Sequence, residues 1–374
     1  MSTIRKSMFL AMLLIGVVTA LAPQHALAAG TASGTTINNK ATVNYQAGGI
    51  AQTLIESSPT GNTTPGAGAG ANTWFYVANK VNVVVTKTGD ATVIPGSTKQ
   101  ALIFTITNSG NTSQRYALAA NLASGQTMSN VTIYRDNGTT PNQWDASDTL
   151  YVDASTFGNI VSDATFTVLV VSDAPLTLTN GQTGVYNLIA TTVDAGTLNV
   201  TAQTAGAANL QLNSPLDVVY ADAAGTDDVA RDGKMSARGT YTASAPVLTV
   251  TKTTAVYWDP FNLTTNPKAI PGAVMTYTVT IANGAGGATA TSVSVVDAIP
   301  ANTTFKTTYV DASTTCAGTN GIVVGAGGAG VCKTNAGADD NADYNVTNAG
   351  AVTVTGLSVA AGASAVVRFQ ITIN

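Results

Sequence analysis

Apolar and polar residues alternate with a period of two along most of the chain. Leu102, Phe104 and Ile106 share one side of a segment, and Met275, Tyr277, Val279 and Ile281 repeat the device against Thr276, Thr278 and Thr280. Near the end, Val367, Phe369, Ile371 and Ile373 alternate with Arg368, Gln370 and Thr372. Ile37, Ala41, Val43 and Tyr45 share one face of a further strand whose other face carries Asn38, Lys40, Thr42 and Asn44. Successive side chains of a strand point to opposite faces, so each segment predicts a half-buried antiparallel strand. Beyond the first residues there is no amphipathic helical stretch longer than about two turns. The expected fold class is therefore all-β.

Turn residues punctuate the strands at Asn108-Ser109-Gly110, Asn180-Gly181 and Asn283-Gly284, where a positive φ is expected. Ser58 to Asn72, with Pro59, Pro65 and several glycines, reads as a flexible joint. A repeat is also visible. Val83-Val84-Val85-Thr86-Lys87-Thr88 followed by Ile94-Pro95-Gly96 returns as Leu248-Thr249-Val250-Thr251-Lys252-Thr253 and Ile270-Pro271-Gly272, with a longer insert, Ala255 to Ala269, in the second copy. Two copies of one strand-turn-strand unit predict two immunoglobulin-like β-sandwiches in tandem. The expected organisation is a leader at residues 1–28 and an N-terminal β-strand module with its joint at 29–79. A first sandwich with an extension follows at 80–245, then a C-terminal sandwich at 246–374 whose last strand is open to partners.

Val247 to Phe305, with Leu248-Thr249-Val250-Thr251-Lys252-Thr253, Pro271-Gly272, Tyr277-Thr278-Val279-Thr280 and Val295-Val296-Asp297-Ala298-Ile299-Pro300-Ala301, resembles a repeat of bacterial surface proteins. That repeat is catalogued as domain of unknown function eleven. Leu357 to Ile373 resembles its closing part, and Val81 to about Ala205 resembles it through the opening strands. The resemblance implies an Ig-like fold on a cell surface or in an extracellular matrix, and it implies no catalytic residue.

Arg5 and Lys6, an apolar run from Met8 to Ala22 and the small-x-small site Ala26-Leu27-Ala28 predict a cleaved secretory leader. The run is too short to span a bilayer as a helix, and no later segment is apolar enough to do so. A secreted product, on the cell surface or in the matrix, is expected. Losing Arg5 and Lys6 takes the basic residues from 16 to 14 against 20 acidic ones, a balance that argues against nucleic acid. Charged residues make up only 10% of the chain, so copies repel one another weakly and self-association, or association with other surface proteins, is easy to arrange.

Little catalytic chemistry is encoded. The single histidine, His25, lies in the leader, which removes histidine-based triads and histidine-ligated zinc from the mature chain. Glu56 is the only glutamate. A non-enzymatic protein is expected. Cys316 and Cys332, the only cysteines, are most simply a disulfide in an oxidising compartment, with two buried free thiols as the alternative.

Asp136, Asn137, Asp145 and Asp148 group oxygens around a turn as a calcium ion requires, with a solvated Asn/Asp turn as the simpler alternative. Asp339, Asn341, Asp343 and Asn345 form a second such cluster, and Asp222, Asp227, Asp228 and Asp232 a third. Two functions follow from different features. Residues 33–56 would leave their own subunit and donate a strand to a neighbour, with Ile37, Ala41, Val43 and Tyr45 filling an apolar groove, which makes a fibre subunit. Alternatively the Asp loops and Trp74, Trp144 and Trp258 would be displayed by a monomeric adhesin or carbohydrate-binding protein that uses calcium.

Overall fold

The computed structural model describes residues 30–326, 330–337 and 339–374; the expected leader and its cleavage site lie outside them. Among the described residues every regular element is a β-strand. The fold is all-β, built on immunoglobulin-like sandwiches.

Residues 83–243 supply two facing sheets. One has the strand order Thr149–Leu150, Ser129–Arg135, Thr165–Asp173, Gln100–Asn108, Val83–Gly89. The other runs Arg115–Gly125, Thr183–Val193, Lys234–Ala243, Ala91–Val93. Leu102, Phe104 and Ile106 point into the space between them and meet Val168, Val170, Leu188 and Tyr241. The first strand changes sheets: Val83–Gly89 pairs antiparallel with Gln100–Asn108, after which Ala91–Val93 runs parallel to Tyr241–Ala243. Gly89 lies at the crossing, close against the Ile103 side chain.

Residues 248–373 form a second pair of sheets. The larger runs Leu248–Trp258, Val274–Asn283, Ser364–Ile373, Ile322–Gly325, Val331–Lys333, with Thr303–Phe305 also paired to Ser364–Ile373. The smaller runs Ala290–Ala298, Ala351–Val359, Ala342–Tyr344. Val279, Ile281, Val367, Phe369 and Ile371 fill its core. The expectation of an open C-terminal strand is corrected here. Ser364–Ile373 is an interior strand, bonded to Val274–Asn283 on one side and to Ile322–Gly325 on the other. The insert at 255–269 is tied down by the Asp259 carboxylate, which accepts the N–H groups of Phe261, Asn262 and Lys268. Burial pushes that carboxyl up, but the bonds from Asn262, Lys268 and Phe261 outweigh it and leave it at about 2.

The N-terminal module differs from the single strand read between Ile37 and Tyr45. It consists of short pieces: Thr36–Asn39 pairs with Thr73–Tyr76, Thr42–Val43 with Ile55–Glu56, and Gln46–Ala47 with Ile50–Ala51. Ser58 to Asn72 is also not a joint to the rest of the chain. It folds back inside the module, where the Glu56 carboxylate accepts Gly68 N–H (2.9 Å) and Gly70 N–H (3.1 Å) and pairs with Lys40 (2.7 Å). Asn79–Val81, which pairs with Val218–Tyr220, leads into the first sandwich.

Candidate functional site

The two repeat copies place equivalent residues in unequal surroundings. Val83 and Val85 of the first copy are 0% and 3% exposed, whereas their counterparts Leu248 and Val250 are 44% and 64% exposed. Both pairs sit on the inward face of an edge strand, so the difference lies in what stands opposite. In the first sandwich Lys234–Ala243 and Thr183–Val193 of the facing sheet pack beneath Val83–Gly89. In the second, the facing sheet stops at Ala290–Ala298, which has a strand neighbour on one side only. Leu248–Trp258 also does not change sheets. It continues along Val274–Asn283 as far as Trp258, and among the described residues no strand stands opposite for it to join.

The result is a groove of about 420 Å³ between two unpaired edges. Leu248, Val250, Val279, Ile281, Val293 and Val295 make it apolar. At one end Lys252 Nζ stands 2.6 Å from Asp297 Oδ1 and 4.4 Å from the centre of the Tyr277 ring, so the groove's two charges neutralise each other. Lys87, the counterpart of Lys252, instead pairs with Asp90 on the surface. A fully buried Leu or Val is worth about 1.5–3 kcal/mol, so covering Leu248 and Val250, which are 44% and 64% exposed, recovers roughly half of that each. An unpaired edge beside an apolar face is a template for another strand.

Ile37 (36% exposed), Val43 (57%) and Tyr45 (41%) lie on the surface of the N-terminal module, as does Ala41. The structure brings them together only loosely, because their strand is broken after Asn39 and after Val43.

Asp136, Asn137, Asp145 and Asp148 do converge, but their oxygens face inward to their own loop. Asp136 accepts the N–H groups of Gly138 and Asn142, Asp145 those of Thr140 and Ser147, and Asp148 those of Asn137 and Asp145. Hydrogen bonds from Ser147 and Thr140 hold the Asp145 carboxyl below its ordinary range. These oxygens, the expected calcium ligands, form an Asx network within their own loop.

The other two clusters disperse in the same way. Asp343 caps Val346 and Thr347 and Asp339 accepts the Thr334 hydroxyl, while Asp222 holds Asp232 and Gly233 and Asp227 pairs with Arg238. Among the described residues no group of three His, Cys, Asp or Glu side chains is placed to hold a metal. The three tryptophans belong to three separate units. Trp74 packs edge-on against Tyr76 in the module, Trp144 against Tyr134 in the first sandwich, and Trp258 closes the first strand of the second. Cys316 and Cys332 form the disulfide, with Tyr309 and Val323 packed around it.

No family model matches the chain, and no curated protein matches it. Among solved structures it is similar to one named BspA_C_WT, at 9% identity and a TM-score of 0.35, over 79% of this chain and 91% of that one. It is also similar to the full-length major pilin SpaD from Corynebacterium diphtheriae, at 13% identity and a TM-score of 0.22, over 69% of this chain and 56% of that one. A third is the collagen binding domain of the Erysipelothrix rhusiopathiae surface protein RspB, at 12% identity and a TM-score of 0.20, over 79% and 82%. These overlaps are shallow, and the fold assignment rests on the sheets themselves.

Sequence reasoning missed the groove and also missed two buried asparagines. Both stand in turns where the sequence leads one to expect a positive φ; of the three turns named, only Asn180-Gly181 has one, at Gly181. Asn108 donates to the carbonyls of Thr112 and Ile160 and accepts Gly110 N–H, while Asn283 donates to those of Ala288 and Val359 and accepts Val247 N–H. Their equal places at the ends of equivalent strands were the available signal.

Proposed function

We propose that this is a non-enzymatic, secreted structural protein of the bacterial cell surface or extracellular matrix whose copies associate by strand addition at the open side of the C-terminal sandwich. The observation that carries this reading is the exposure of Leu248 and Val250, whose counterparts Val83 and Val85 are covered by strands of their own sandwich. Strand addition would supply main-chain hydrogen bonds along the free edges, and the alternating side chains would fix the register. The low charge of the chain supports close packing of copies. The residue pattern of Val247 to Phe305 supports a surface location.

Negative-stain electron microscopy of the purified chain tests the reading. Filaments or sheets are expected; isolated compact particles at every concentration would contradict it.

A further inference from the structure

We propose that the first sandwich binds a saccharide bearing a carboxylate, in a hollow of about 260 Å³ between Lys99 and Trp144 on the outer face of its larger sheet. The site belongs to the first sandwich and the groove to the second, so the two readings stand or fall separately.

Two clamped pieces of chain build the hollow. On one side, residues 136–148 join Ser129–Arg135 to Thr149–Leu150 and bring Trp144 edge-on against Tyr134, with ring centres 6.1 Å apart. Tyr134 faces outward because its neighbour Ile133 belongs to the core. The aspartates of this loop hold it in place. Asp136 accepts Asn142 N–H at 2.8 Å and Asp148 accepts Asp145 N–H at 3.0 Å, one on each side of Asn142-Gln143-Trp144. On the other side of the hollow, Asp173 accepts Lys99 N–H at 2.9 Å and the Asn130 amide at 2.7 Å. Lys99 and Asn142 both have left-handed backbones, with φ of 57° and 65°. A non-glycine residue adopts that conformation at a cost, and here a carboxylate fixes each of them. The small side chains of Ala91 and Ala101 leave the space open.

Unmatched donors line that space. The Lys99 ammonium stands 5.0 Å from the centre of the Trp144 ring and 5.9 Å from that of Tyr134, and among the described residues it belongs to no ion pair. The Asp173 oxygens are taken by Lys99 N–H and Asn130 instead. The Trp144 indole N–H is buried without an acceptor, which native proteins rarely tolerate. Asn142 and Gln143 are exposed, and among the described residues their side-chain amides have no partner. A ligand that satisfies this set carries one negative charge and several further oxygens. The hollow is smaller than those that enclose drug-sized molecules, which suits a single ring, and the aromatic wall suits the C–H face of that ring. A hexuronic acid residue of a polysaccharide meets each condition. A neutral sugar leaves the ammonium unmatched, and a bare carboxylate leaves the amides.

Tryptophan emission of the full chain, titrated with glucuronate, glucose or acetate, tests the proposal. Lys99→Gln and Gln143→Ala replace exposed side chains, and near-UV circular dichroism confirms that each variant keeps its fold. Glucuronate should bind roughly tenfold or more tightly than glucose, the difference one charge-assisted hydrogen bond makes, and acetate at equal concentration should not displace it. Lys99→Gln should bring glucuronate down to the level of glucose, and Gln143→Ala should weaken both sugars. Equal affinity for the two sugars in the unsubstituted chain, displacement by acetate, glucuronate binding unchanged by Lys99→Gln, or no response to either sugar would each overturn the proposal.

Discussion

Asn283→Ala is expected to destabilise the C-terminal sandwich by about 2–3 kcal/mol, because a buried polar group left without a partner costs roughly 1–3 kcal/mol and a part-buried one less. The Asn283 amide donates to Ala288 O at 2.9 Å and to Val359 O at 3.0 Å, and its carbonyl accepts Val247 N–H at 2.9 Å. It joins the start of the first strand, the turn after the second and the end of Ala351–Val359 at one point. Alanine leaves Val359 O without its buried bond, and Ala288 O and Val247 N–H without their part-buried ones. Asn283→Asp keeps the acceptor for Val247 and loses both donations, so an intermediate loss or worse is expected. Guanidinium unfolding of each variant measures the effect. A loss of less than about 1 kcal/mol, the net worth of a single ordinary hydrogen bond, would show that the amide does not hold this corner.

Removing the disulfide by Cys316→Ala with Cys332→Ala is expected to cost about 3 kcal/mol, the value for closing a loop of about 15 residues in the unfolded chain. The bond links the small hairpin of Tyr309–Val310 and Thr315–Cys316 to Val331–Lys333 at the far edge of the larger sheet. Its local core is small, Tyr309, Cys316 and Val323 with Cys332 packed against them, and beside the disulfide the hairpin is held by the Gln370 side chain on Val310 and by the Arg368–Asp311 pair. Hydrogen exchange should therefore quicken in residues 309–333 and stay unchanged in the first sandwich. Uniform loss of protection across both sandwiches would contradict a local role.

Alternation made the interior strands legible. Leu102, Phe104 and Ile106, and Phe369 and Ile371, are buried as their period of two requires, because a strand in the middle of a sheet has one face fixed to the core. The same pattern failed at the N-terminus, where alternation from Ile37 to Tyr45 continues across breaks in the backbone pairing. Leu248-Thr249-Val250 and Val83-Val84-Val85 share their inward apolar positions, yet only the second set is covered. A strand's own sequence says which face is apolar and not which strand lies opposite. The aspartate clusters read two ways for a related reason: the oxygens that suit a cation suit backbone N–H groups equally, and here they accept those N–H groups.

Sedimentation velocity of the unsubstituted chain beside Val250→Asp, over a range of concentration, tests the central claim most directly. The open groove predicts species larger than a monomer that grow with concentration in the first and are absent in the second. A monomer throughout, or the same distribution for both proteins, would contradict it.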